Sequence, residues 1–344
     1  MNKNNLVPTW FLSLLLAVFA SLALADTEPH AFQTHKAIEW AKPEGIPLTL
    51  DIYVPKTGKK AYPVLVIYHG GGWLINDNSP MTAMSEYIAS HGEFVVANMN
   101  YRLLPDNDNT TTLNQMVEDA FGGLLWVKDN IARYGGDPTR IAITGDSAGG
   151  HLTAMILMSG RKLESNGFKG KSLGFKPTYL PKGKTAEKVA RRDGLKVQAA
   201  IISYGAFDLY EAVKGGFEKP SNVFWKFAGA EPRGIFGKDI KLEDHPEHYK
   251  AVSPIYNIPD AKDYQLPPQF IHVAEKDTLT TPAMVGHYVE LLKKADQPVT
   301  YKIYPGRGHG FMDGGCNKHS GTCFEKDAVP VLDDMLAFLR ATLN

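Results

Sequence analysis

Cysteine is scarce in this chain, with only Cys316 and Cys323 among 344 residues. With no histidine pair at H-x3–5-H spacing beside them, the two argue against a zinc site of ordinary spacing. An excess of one charge is also missing: lysine plus arginine and aspartate plus glutamate number 37 each, so no basic footprint points to nucleic acid. No unit recurs at a fixed period, which excludes solenoids and propellers. Long apolar runs are absent except at the start, where Leu6 to Leu24 follows Lys3 and runs into Ala23-Leu24-Ala25. That pattern reads as a secretory signal peptide over residues 1–25 rather than an uncleaved anchor. A secreted or periplasmic protein is expected, with no stable membrane insertion after cleavage. Residue 26 is Asp, which excludes a lipid-bearing cysteine at the new N-terminus. In an exported protein Cys316 and Cys323 are expected to pair. The loop they close is short, so its stabilisation is under about 3 kcal/mol, and its other effect is to stiffen the loop after His309.

Residues 26–344 suit one large domain. Pro47 to Val54 alternates apolar and polar residues, the pattern of a half-buried edge strand. Continuous apolar runs at Pro63–Tyr68, Phe94–Ala97, Ile141–Ile143, Val197–Ile202, Gln269–Val273 and Thr300–Tyr304 fit strands covered on both faces. Helical patterns lie between them at Leu113–Tyr134, Leu152–Ser159, Pro282–Lys294 and Ala328–Leu343. The alternation predicts an α/β fold with a mostly parallel central sheet and helices on both faces. Two stretches break the rhythm. Residues 161–193 carry ten Lys or Arg against three Asp or Glu, and residues 207–266 are rich in aromatics and proline. Both are candidate cap-like insertions, and a solvated surface insertion is the plainer reading of the first.

Gly145-Asp146-Ser147-Ala148-Gly149 follows one predicted strand and leads into a helical pattern. A G-x-S-x-G run in that context lifts a serine onto a sharp turn at a helix N-terminus. A serine needs a base, and the base needs a carboxylate to fix its tautomer. His309 follows the strand ending near Tyr304, and Asp277 follows the strand ending near Ala274, giving the order serine, acid, histidine. His319, Glu275 and Asp313 are the rivals for these roles; Asp208 is expected to cap the next segment. His69-Gly70-Gly71-Gly72-Trp73 supplies the backbone amides for an oxyanion, assigned to Gly70, Gly71 and Ala148. His69 is expected to orient this loop by hydrogen bonding. Asp146 is expected to buttress the serine turn, with Tyr101 or Arg102 as its partner.

Together with Asn100-Tyr101-Arg102-Leu103-Leu104-Pro105 and Asp137-Pro138-Thr139-Arg140, these motifs resemble the hormone-sensitive-lipase-like branch of the α/β-hydrolase esterases over roughly residues 46–340. The resemblance implies Ser147, Asp277 and His309 as a catalytic triad, the Gly70, Gly71 and Ala148 amides as oxyanion hole, and no cofactor or metal. The chain departs from that pattern in its short N-terminal region and in Asp277-Thr278-Leu279, where the family usually has Asp-Pro-Leu. A serine esterase acting through an acyl-enzyme is expected, on a small-molecule or oligosaccharide ester with a short acyl or aryl group. Acetylated or feruloylated carbohydrates are the candidates, and the basic 161–193 stretch is a candidate attractor for acidic ones. An amide-bond hydrolase of the aryl-formamidase or peptidase type uses the same parts, and a lipase or an inactive binding protein are further alternatives. Oligomeric state is not legible.

Overall fold

A computed structural model describes residues 28–169, 171–317 and 321–343. The signal peptide expected over residues 1–25 and the rival histidine at 319 lie outside them. Eight strands form one sheet: β1 (Phe32–Ala41), β2 (Leu48–Pro55), β3 (Tyr62–Tyr68), β4 (Val95–Met99), β5 (Gly136–Asp146), β6 (Ala199–Ser203), β7 (Gln269–Ala274) and β8 (Val299–Tyr304). Their spatial order is β1-β2-β4-β3-β5-β6-β7-β8. β2 runs antiparallel to β1 and β4, and every pair from β4 to β8 is parallel. The helices are α1 (Thr82–His91), a single turn α2 (Asp106–Asn109), α3 (Leu113–Asn130), α4 (Ala148–Ser159), α5 (Ala186–Arg191), α6 (Leu209–Lys214), α7 (Val223–Ala228), α8 (Pro246–Ala251), α9 (Pro282–Lys294) and α10 (Val329–Leu343).

The apolar runs explain the centre of this sheet. Every residue of β3, β4 and β6 is buried, as a strand covered on both faces requires. Each fully buried Val, Leu or Ile there contributes roughly 1.5–3 kcal/mol relative to exposure. The edges differ from expectation. The alternating segment at residues 48–55 is not an edge, because β1 pairs along its outer side. β1 reads poorly as a strand because its burial is irregular, and its register with β2 shifts twice. β8 was expected to be covered on both faces; instead it is the far edge, and Tyr304 is its one buried residue.

Because the strands are parallel and in register, their C-terminal ends line up: Tyr68 faces Gly145, Asp146 faces Ser203, and Ala274 faces Tyr304. β4 lies on one side of β3 and β5 on the other, so the connections after β3 and β5 diverge and leave a crevice between them. The glycine loop at residues 69–72 follows β3, and Ser147 follows β5. The two irregular stretches touch through Phe168 and Phe236 but cover different parts of the fold. Residues 161–193 pack on α3, where the Lys176 and Thr178 amides donate to Glu118 and the Thr178 hydroxyl donates to Asp119. Residues 207–229 rise over the crevice and line it.

Candidate active site

Ser147 joins β5 to α4 with φ 50° and ψ −114°, a left-handed conformation that costs a non-glycine residue energy and persists only when its surroundings enforce it. They do so by close packing. A Cβ on Gly145 would lie 2.3 Å from the Gly149 carbonyl oxygen, and one on Gly149 would lie 1.9 Å from that of Tyr68. The Ser147 amide donates to the Ser203 carbonyl at 3.0 Å, which ties the turn to β6. Strand, glycines and neighbouring strand together hold the hydroxyl up at the sheet edge.

The three sequence-predicted side chains meet there. His309 Nε2 lies 3.0 Å from Ser147 Oγ, and His309 Nδ1 lies 2.8 Å from Asp277 Oδ2. Asp277 is locked from behind: its Oδ1 accepts the Leu279 and Thr280 amides, each at 2.9 Å, and its Oδ2 accepts the Thr280 hydroxyl at 3.2 Å. A carboxylate facing Nδ1 places the proton on Nδ1 and leaves Nε2 as the acceptor for the serine hydroxyl. The Tyr204 ring packs edge-on to the imidazole at 4.9 Å and limits its rotation. Such a line can deprotonate the serine as it attacks and return the proton to a leaving group. Of the rivals, Glu275 accepts the Gly306 amide at 2.8 Å, and Asp208 caps α6 by accepting the Glu211 amide at 3.0 Å.

His69 is fully buried, donates through Nδ1 to the Gly70 carbonyl at 2.7 Å and stacks on Tyr101 at 4.4 Å. Burial pushes its pKa down to about 4, so the ring is neutral and orients the loop. The glycine loop itself is placed differently from expectation. Gly70 sits behind the crevice against Asp146, where a Cβ would lie 2.4 Å from the carboxylate oxygen. Gly71 and Gly72 are the residues that line the space around Ser147. Both have positive φ, and among the described residues neither amide finds a backbone acceptor.

Asp146 does not contact Arg102, which instead forks onto Asp119 at 2.7 and 2.8 Å and reaches Glu44 at 3.0 Å. The bidentate partner on α3 wins because it satisfies two guanidinium donors at once. Nor does Tyr101 donate to Asp146: its hydroxyl goes to the His69 carbonyl at 2.6 Å. Burial and the nearby Asp313 carboxyl hold the Asp146 pKa well above the usual carboxylate range, and the Gly70 amide and Tyr204 only partly offset this. Asp313 is itself raised to about 6 by burial, with His309 pulling the other way.

Three contributors escaped sequence reading: Thr280, Tyr204 and His151. His151 accepts from the Trp73 indole at 3.1 Å and donates to the Val252 carbonyl at 2.7 Å, which fixes Trp73 at the crevice wall. Only its place four residues after the serine marked it. Cys316 and Cys323 form a disulfide across the β9 (Cys316–Asn317) and β10 (Thr322–Cys323) hairpin.

Two spaces meet at Ser147. The larger, of about 840 Å³, is lined by His309, Asn76, Lys276, Asp313 and Asn317 among others. The smaller, of about 350 Å³, is walled by Trp73, Phe207, Phe217, Phe224 and Met284. No described residue of 161–193 lines either. Among the described residues no helix is long and apolar enough to cross a membrane.

Residues 50–287 match the BD-FAE family model, more than half of the chain. Carboxylesterase NlhH of Mycobacterium tuberculosis is 27% identical over 263 residues, covering 76% of this chain and 70% of that protein. Isoprenylcysteine alpha-carbonyl methylesterase ICME of Arabidopsis thaliana is 29% identical over 224 residues, covering 63% of this chain and 46% of that one. Among solved structures, Thermogutta terrifontis esterase 2 phosphonylated by cyclosarin superposes with a TM-score of 0.62 at 21% identity, covering 91% of this chain and 96% of that chain. That likeness shows the α/β-hydrolase fold. With the family match spanning the serine turn and the acid, the chain is a carboxylesterase-type serine hydrolase and belongs to the BD-FAE family.

Proposed function

We propose that the protein hydrolyses carboxylic esters of a short or aryl acyl group on a hydroxyl-rich alcohol, through an acyl-enzyme on Ser147. The carrying observation is that His309 lines the larger chamber and not the smaller. Ser147 Oγ attacks the ester carbonyl and its proton passes to His309 Nε2, while Asp277 stabilises the imidazolium. Negative charge on the carbonyl oxygen is met by the amides of Gly71, Gly72 and Ala148; losing one such donor typically costs about 3–4 kcal/mol. Collapse of the intermediate breaks the carbonyl carbon–alkoxide bond, and the leaving oxygen takes the proton from Nε2. The alcohol must therefore lie on the side of the imidazole, in the chamber of about 840 Å³. The acyl group occupies the aromatic-walled space of about 350 Å³. Water then repeats the sequence, freeing the acid and restoring the serine.

The lining supports both halves. Asn76, Lys276, Asp313 and Asn317 offer hydrogen-bonding groups suited to a carbohydrate alcohol. Trp73, Phe207 and Phe217 suit a compact apolar or aromatic acyl group. The secretory leader read from residues 1–25 of the sequence supports substrates outside the cytoplasm. The test compares acetyl-xylan oligomers, methyl ferulate and 4-nitrophenyl esters of rising acyl length, with matched amides alongside. Highest kcat/KM on a short or aryl ester is expected. An optimum at long acyl chains, or faster cleavage of the amides, overturns the assignment.

A further inference from the structure

A second cluster of chemically competent groups lies away from the crevice, at the start of α8. His245, Glu247 and His248 bring one ligand atom each to within 4.8 Å of one another. Glu247 Oε1 lies 3.3 Å from His245 Nδ1 and 3.1 Å from His248 Nδ1. A tetrahedral ion bound at about 2.0–2.2 Å to nitrogen and carboxylate oxygen has ligand–ligand edges of about 3.3–3.6 Å, close to both separations. We propose that these three side chains form a surface binding site for a divalent transition-metal ion of the zinc type. It is separate from the hydrolytic centre and serves the fold rather than the reaction.

The donors are of the right kind and are held in place. Two imidazoles and one carboxylate match the preference of zinc-type ions for nitrogen with one hard oxygen, and leave positions for water. His248 is only 15% exposed, and its ring packs edge-on against Phe168 at 5.5 Å and Phe236 at 5.7 Å, which stack on each other. Pro246 fixes the backbone between His245 and Glu247. His245 and Glu247, 42% and 56% exposed, leave the site open to ions from solution. Without an ion, the same contacts are hydrogen bonds from each imidazole to Glu247.

The position gives the ion something to hold. α8 sits in the 207–266 insertion, and its Tyr249, next to His248, donates to the Ile240 carbonyl at 3.1 Å. α8 also packs on α6, whose Ala212 lines the smaller chamber. Phe168, against His248, comes from the other insertion. An ion here fixes the segment 245–248, which meets the 161–193 stretch through the contact of His248 with Phe168.

The experiment is titration of Zn²⁺ into the purified, untagged protein by calorimetry, with Co²⁺ absorption and thermal unfolding alongside. One ion per chain is expected, with an intense four-coordinate Co²⁺ band and a melting temperature that rises with Zn²⁺. Each of His245→Ala, Glu247→Gln and His248→Ala should weaken binding at least about tenfold. Metal-free ester hydrolysis should stay unchanged in all three. His245→Ala keeps the test sound should His248→Ala lose its packing on Phe168 and Phe236. Absence of stoichiometric binding, or binding that all three substitutions leave intact, overturns the proposal.

Discussion

Replacing Asp277 with asparagine exchanges one oxygen for an NH₂ group, and the surroundings of the side chain dictate where that group goes. Oδ1 accepts two backbone amides, from Leu279 and Thr280, each at 2.9 Å. The asparagine must keep its single oxygen there, since turning the NH₂ toward two donors would leave both unsatisfied at roughly 1–3 kcal/mol each. The NH₂ then takes the place of Oδ2, 2.8 Å from His309 Nδ1. A donor facing Nδ1 selects the imidazole tautomer with its proton on Nε2. That nitrogen, 3.0 Å from Ser147 Oγ, can then no longer accept the serine proton. The expected fall in kcat is about 10⁴-fold, or about 5.5 kcal/mol of barrier. Asp277 lines neither chamber, so KM should change little. Steady-state kinetics on 4-nitrophenyl acetate, with thermal unfolding as a control for the fold, measure both. A kcat within tenfold of wild type, or a loss carried by KM, refutes the reasoning.

Other substitutions probe different parts of the structure. Gly149→Ala places a Cβ 1.9 Å from the Tyr68 carbonyl oxygen, a backbone atom that cannot rotate away, so soluble expression or melting temperature should drop severely; near-normal stability would contradict the packing of the turn. Asp313→Asn should stabilise the protein at pH 8 by up to about 3 kcal/mol, because burial raises this carboxyl from 3.8 to about 6. The unfolded chain releases that proton first, so the native state loses stability as pH rises from about 4 to about 6, and the gain from asparagine should vanish below about pH 4. Equal effects on melting temperature at pH 4 and pH 8 would contradict it. Reducing the Cys316–Cys323 disulfide should cost at most about 2.5 kcal/mol in denaturant unfolding, as a loop this short predicts; a larger loss would give the hairpin a wider role.

The sheet's centre was legible because β3, β4 and β6 are buried on both faces and so read as unbroken apolar runs. Its margins were not. β1 carries a shifted, irregular register, and β8 has Tyr301 and Ile303 on an edge where apolar content does not mean burial. Ser147, Asp277 and His309 were readable because local patterns mark a turn, a strand end and a glycine loop. The partners around them are set by approach between distant segments. Asp119 lies 17 residues from Arg102, and nothing in the chain ranks it above Asp146 as the guanidinium's partner. The glycine loop shows the same limit at one-residue resolution: His-Gly-Gly-Gly announces close backbone approach, yet only the fold shows that Gly70 backs onto Asp146 while Gly72 faces the substrate space.

The account rests on Ser147 being a nucleophile activated by His309, and intact mass spectrometry with a fluorophosphonate tests this most directly. One adduct per chain is predicted, mapping to the peptide with Ser147, lost in Ser147→Ala and slowed by orders of magnitude in His309→Ala. A folded wild-type protein that stays unlabelled, or a Ser147→Ala variant that labels equally well, would contradict it.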